Sequence, residues 1–299
     1  MGFRWSAVQI RPPRLLLVRK LRMRARKIPI IVMSLLVLLS ASCIWTGKSE
    51  GISLALLGRV PRETSFFVFW DISTLRDRAA LGNIYNSWID KEREQLEKFG
   101  IDYTCVNYFA WADDGEGRME IVEGDFDVEG ITGRLIDLGY TRQSYPPPSP
   151  GVEMWVGPTE EDETVAMIEG TIFVGGKESL ERCIGVYRGE EESLQDDQYI
   201  KLITDRLPGG IMVMIRKAGE FPQYPLLLAS GMVYKIRDED ILEVRAVYVF
   251  DGKGAAEEAL ADIGKRWASE KYYWDPMTSQ RDEFVESRAL IRSLNLSYF

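Results

Sequence analysis

Between residues 240 and 270 the apolar residues change their period. In "DILEVRAVYVF" Leu242, Val244, Ala246, Tyr248 and Phe250 recur at every second position, the spacing of a strand with one buried face. In "GAAEEALADIGKRWASE", directly after it, Ala256, Leu260, Ile263 and Trp267 recur at helical spacing. "DGKG" at 251–254 joins the two as a turn and lacks the Gly-x4-Gly-Lys-Ser/Thr spacing of a phosphate loop. A chain that moves from one period to the other must pack helices on a sheet.

The same grammar runs through the rest of the body. "SFFVFWDI" (65–72) is expected as a strand, and 73–100 as one long helix capped by Ser73 or Thr74 and stopped at Gly100. "VNYFAWADDGEGRMEIVEGDF" is expected as two strands around a turn at 113–117, and "DVEGITGRLIDLGY" as a short helix ended by Gly139. "VEMWVG" and "ETVAMIEGTIFVGG" follow as strands, the second folded at Glu169–Gly170, then helices over 177–188 and about 196–207. "GGIMVMIRK" opens a second series. "FPQYPLLLASGM" is expected as a Pro-bounded helix or loop, and "EFVESRALIRSL" as the closing strand. The expected fold is α+β, mainly antiparallel sheets with packed helices. Its expected division is into two related strand–helix–strand units, 61–208 and 209–299.

The N-terminal part has a different character. Residues 1–22 fit no folded element and read either as an upstream extension of a start at Met23 or as a long basic n-region. The peptide at 7–13 can be encoded by a stretch containing GTTCAAATC, which resembles the T-arm of a transfer-RNA gene. From Met23, Arg24, Arg26 and Lys27 precede the apolar run "IPIIVMSLLVLLSAS", and the run ends at Cys43. Ala41 and Ser42 before that cysteine make "LSASC" similar to the lipobox of prokaryotic lipoproteins, with Ser40 where leucine is commonest. The resemblance implies cleavage before Cys43 and lipidation of its thiol. The competing reading is an uncleaved helix over 28–45, at the short limit for spanning a bilayer. In both, residues 23–43 act as signal peptide or membrane anchor, 44–60 as a tether, and the body faces outside the cytoplasm.

Charge and residue usage narrow the chemistry. Residues 1–43 carry nine Lys or Arg and no acid, which leaves 28 basic and 46 acidic residues in the body. Such a body repels phosphate backbones, so nucleic acid is not an expected partner. Histidine is absent, which removes Ser-His-Asp, Cys-His and His-ligated zinc chemistry. Cys105 and Cys183 are expected as buried thiols, with a disulfide between them the lesser option. The acidic clusters "DDGEG" (113–117) and "PTEEDET" (158–164) read as a hairpin turn and an exposed loop rather than calcium sites. Asn295 begins a glycosylation triplet close to the C-terminus. Trp70, Trp88, Trp111 and Trp267 are expected in the core. "EKYYWDP" (270–276), with "SYPPPSPG", is the expected recognition surface; Trp155, Trp274, Tyr145, Tyr272 and Tyr273 complete the aromatic set.

These features describe a membrane-tethered extracytoplasmic protein, a binding or structural module of the cell envelope held there through an N-terminal lipid or helix. The alternative is a carboxylate-dependent hydrolase acting at the envelope, which requires an acid pair in a cleft. No catalytic constellation, metal site or cofactor is expected, and Cys43 is the one residue with an assigned chemical role.

Overall fold

The computed structural model describes residues 55–143, 151–207, 209–217 and 223–298. Cys43, the signal or anchor segment and most of "SYPPPSPG", including Tyr145, lie outside the described residues. Residues 46–299 form one compact unit.

The fold is α+β, built on a single twelve-stranded sheet in which every pair of neighbours is antiparallel. The strands are β1 (Phe66–Asp71), β2 (Val106–Asp113), β3 (Arg118–Gly124), β4 (Thr141–Gln143), β5 (Val152–Val156), β6 (Thr164–Ile168), β7 (Thr171–Gly175), β8 (Met212–Lys217), β9 (Leu227–Ile236), β10 (Ile241–Phe250), β11 (Trp274–Arg281) and β12 (Phe284–Arg292). Their order is β11-β12-β10-β9-β8-β1-β2-β3-β7-β6-β5-β4. β1 to β7 fill one side of the β1–β8 pair and β8 to β12 the other. Each side starts as a three-strand meander, passes through a helix, and returns so that its last strand lies beside its third.

The α-helices are α1 (Ile72–Asp77), α2 (Gly82–Lys98), α3 (Val128–Asp137), α4 (Lys177–Tyr187), α5 (Gln198–Thr204) and α6 (Lys253–Ser269). They cover both faces of the sheet. On the first face Trp88 and Leu96 of α2, Ile131 and Leu135 of α3, and Ile263 and Trp267 of α6 meet Phe109, Val122, Val174 and Val244. On the second face Leu180, Cys183 and Ile184 of α4 and Ile200 and Ile203 of α5 meet Phe67, Phe69, Ile121 and Phe173. Alternation along each strand therefore feeds two cores.

Several local expectations differ from the structure. The long helix after β1 is broken at Arg78, which is extended (φ −108°, ψ 112°). Leu75 and Leu81 would lie about 120° apart on an unbroken helix, and the break lets both reach the core, each 1 % exposed. The cap is Asp71, not Ser73 or Thr74: its carboxylate accepts from Thr74 N–H at 2.9 Å and from the Thr74 and Ser73 hydroxyls. "FPQYPLLLASGM" is neither helix nor loop from Leu227 onward, because it enters β9. Gly231 hides that strand. A Cβ there would stand 2.3 Å from Cγ2 of Ile203, so only glycine lets α5 lie this close. "EKYYWDP" leads into β11, where the register shifts between Trp274 and Met277. Cys105 is half-exposed rather than buried, and both it and Cys183 are free thiols.

The two acidic clusters serve turns. Asp113 accepts from Gly115 N–H at 2.9 Å, and Asp114 accepts from Glu116 N–H and the Ser179 hydroxyl. Asp162 accepts from the backbone and hydroxyl of Thr159. "DGKG" turns the chain from β10 into α6, with Gly252 at φ +89°. Among the described residues, no helix is long and apolar enough to cross a membrane.

Candidate functional site

A line of residues crosses the first face of the sheet by direct cross-strand pairing. It runs Trp155, Val165, Val174, Glu120, Trp111, Val68, Met214, Met232, Ala246, Ser287. At its Trp155 end the line is roofed by helices. Past β1 the roof opens until α6 closes it again, and a cavity of about 540 Å³ remains between β8, β9, β10 and the C-terminal half of α6.

The floor of the cavity is Met214 and Met232, with Ser230 and Ala246 beside them. Its walls are aromatic. Trp267 of α6 lies 5.0 Å from Tyr273, ring centre to ring centre, and donates its indole N–H to the Tyr248 hydroxyl at 3.1 Å. Tyr224 donates its hydroxyl proton to Asp262 and stacks edge-on against Phe250. The polar groups are Arg216, Arg266, Ser269 and Glu270. The Arg266 guanidinium lies 5.7 Å from the centre of the Tyr224 ring.

Burial holds the phenols protonated. Tyr224 is pushed up to about 12, first by desolvation and then by its bond to Asp262. Desolvation also raises Tyr234, Tyr248 and Tyr273, with the Trp267 N–H opposing part of the rise at Tyr248. These hydroxyls offer neutral hydrogen bonds and no base. Flexible methionines, flat aromatic walls and a polar rim with two guanidiniums line a cavity in the usual small-molecule size range of about 300–1,000 Å³.

The other unusual place on this face is an acid pair. Glu92 takes the position between Trp88 and Leu96 on the buried stripe of α2, and Glu120 takes an apolar position in the cross-sheet line. Burial raises both carboxyls, and the charge of Glu92 adds to the rise at Glu120, which reaches about 7. Arg118 stands 3.6 Å from Glu92 and 3.1 Å from Glu120, with its guanidinium 3.8 Å from the centre of the Trp111 ring. One Glu120 oxygen, Oε2, and the Trp111 indole nitrogen are buried without a hydrogen-bond partner.

Of the aromatics singled out in the sequence, Trp267 and Tyr273 line the cavity. Trp88 and Trp155 are core, and Trp70 and Trp111 are half-buried against each other at 4.8 Å. Tyr272 packs against the same core. Met214, Met232, Tyr234, Tyr248 and Arg266 were not singled out. The signal for them was present as methionines at alternate positions in "IMVMIRK" and tyrosines inside two otherwise aliphatic strands. Glu92 was legible as an acid on the stripe of Trp88 and Leu96.

No family model matches the chain. It is 23% identical over 250 residues to the uncharacterized protein MJ0635 of Methanocaldococcus jannaschii, across 82% of this chain and 86% of that protein. Its fold is similar to that of TP0453. Crystal form III gives a TM-score of 0.52 at 10% identity, over 81% of this chain and 96% of that one. Crystal form IV gives 0.49, over 81% and 94%. The first likeness is one of fold alone.

Proposed function

We propose that this chain is a membrane-tethered module working outside the cytoplasm, and that it binds an amphipathic small molecule in the cavity beneath α6. The observation that carries the reading is the lining. Met214, Met232, Trp267 and Tyr273 offer an apolar bed, while Arg216 and Arg266 favour an anionic end on the ligand. Tethering rests on the basic and apolar sequence before Cys43, whose thiol is the proposed lipid attachment. The hydrolase alternative has an acid pair in Glu92 and Glu120, but neither residue lines the cavity beneath α6.

The test is titration of the full chain in mild detergent with an anionic naphthalene sulfonate dye, read by energy transfer from tryptophan. Met232→Trp, which fills the cavity from a half-exposed floor position, should abolish saturable binding. Ile136→Trp, exposed on α3 and away from the cavity, should leave it unchanged. Equal binding by wild type and Met232→Trp would remove the cavity from consideration. Tethering is read separately, by intact mass of the mature N-terminus: a diacylglyceryl group on Cys43 is expected, and an unmodified Cys43 would leave only the helical anchor.

A further inference from the structure

On the second face, α4 and α5 stop short of the far strands, and β10, β12 and β11 turn polar side chains outward. Glu243 and Arg245 on β10 share that side with Glu286, Arg288 and Arg292 on β12. Arg245 and Arg288 are directly opposite each other in the register. Like charges at facing positions of an antiparallel pair destabilise it, and a sheet edge with free choice of residues would avoid them. Arg206, just past α5, leans in from a third direction, its guanidinium 3.5 Å from the centre of the Phe284 ring. The three arginines surround a cavity of about 350 Å³.

Their existing partners leave donors over. Arg288 directs two guanidinium nitrogens at the Met277 sulfur, 2.9 and 3.3 Å away, and a thioether is a weak acceptor for a charged donor. Arg245 holds Glu243 at 3.1 Å, yet its Nε is buried without a hydrogen-bond partner. Arg206 is 3.5 Å from Glu286, the one acid lining the cavity. In a body with 46 acidic and 28 basic residues, this concentration of guanidinium groups runs against the general charge.

We propose that this cavity is an anion site for a phosphoryl group, bridged by the Arg245–Arg288 pair with Arg206 at its side. Guanidinium forks match the paired oxygens of a phosphoryl group, and a bound dianion turns the facing charges from a cost into a clamp. The same chemistry is offered by free phosphate, by a soluble phosphomonoester and by a monoester lipid headgroup. The site is independent of the cavity under α6, on the opposite face.

The experiment is thermal unfolding of the full chain in mild detergent. One arm adds inorganic phosphate, with chloride at matched ionic strength as control; a second dopes the micelles with phosphatidic acid. A saturable rise in Tm in either arm is expected, and the arm in which it occurs names the source of the phosphoryl group. Arg245→Gln and Arg288→Gln should each weaken binding about tenfold to a hundredfold, the loss of a charge-assisted hydrogen bond. Without anion Arg288→Gln should unfold no earlier than wild type, because it removes a like-charge contact; Arg245→Gln also takes the partner from Glu243 and is read by its anion response, and circular dichroism checks that both are folded. No saturable rise in either arm, or variants that bind as tightly as wild type, would overturn the proposal.

Discussion

Glu120→Gln keeps the shape of a side chain and removes its charge from the middle of the sheet. The Glu120 carboxyl is raised from an ordinary 4.5 to about 7, chiefly by burial and then by Glu92, with Arg118 opposing. Its side chain is 12% exposed, so water screens little of this. Below pH 4.5 the folded and unfolded chains both hold the proton. Between pH 4.5 and about 7 only the folded chain holds it. Unfolding then releases a proton, and wild-type stability falls by about 1.4 kcal/mol for each pH unit. The whole fall is about 3 kcal/mol and is complete above pH 7. Glutamine has no proton to lose, and Glu92 titrates in both proteins. The variant should therefore match wild type near pH 4 and exceed it by about 3 kcal/mol at pH 8, or about 6–12 °C in Tm for a body of this size. Thermal unfolding of the full chain in mild detergent from pH 4 to pH 8, followed by near-ultraviolet circular dichroism, reads this directly. If the two Tm curves run parallel across the range, the carboxyl is not held protonated by the fold and the reasoning fails.

Other substitutions probe single contacts. Gly231→Ala places a methyl against Ile203 and Leu207 and should cost about 1–3 kcal/mol by overpacking, measured by urea denaturation. Asp71→Ala removes the acceptor for the Thr74 N–H and two hydroxyls and should cost about 0.5–2 kcal/mol, with amides of α1 exchanging faster with deuterium. Cys183 is fully buried and its thiol is pushed far up by desolvation, whereas Cys105 is half-exposed. A maleimide on the native protein should label Cys105 within minutes and Cys183 only after denaturation. Rapid native labelling at Cys183, followed by peptide mapping, would show that α4 does not stay seated on the sheet.

The parts of the fold that could be read from the sequence are those whose signals are local. β10 and α6 announce themselves by period. The β6–β7 hairpin is set by Glu169 and Gly170, which both take positive φ, as a tight primed turn requires. The missed strands are those whose period is overwritten by a tertiary demand. Gly231 breaks the alternation of β9 because α5 needs the space, and the register shift in β11 displaces its pattern. The site was harder still. Trp111 with Glu120 and Met214 with Met232 are pairs within local hairpins, but the two pairs are joined only through Val68 of β1, 146 residues before Met214, a separation that no window along the chain can span. Trp267 is expected in the core and Tyr273 in the recognition segment, and only the fold brings their rings to 5.0 Å.

The two halves of the sheet explain why both proposed sites lie on the same side of the β1–β8 pair. In the first half, α1 and α2 sit between β1 and β2 and cover the first face, burying Trp88 and Leu96 over Phe109. In the second half, the corresponding connection from β8 to β9 spans only residues 218–226. The floor at Met214 and Met232 therefore lacks the roof that Trp111 and Glu120 have, and α6, the counterpart of α3, closes only its far side. The other face shows the same asymmetry. After β7 the chain adds α4 and α5, which cover Ile121 and Phe173; beside β10 and β12 the described residues place no helix over Arg245 and Arg288, which face outward. The acids at Glu92 and Glu120 show what burial does to a polar group in the covered half, where one carboxylate oxygen is left without a partner. In the uncovered half the polar groups stay reachable, which is what both proposed sites require.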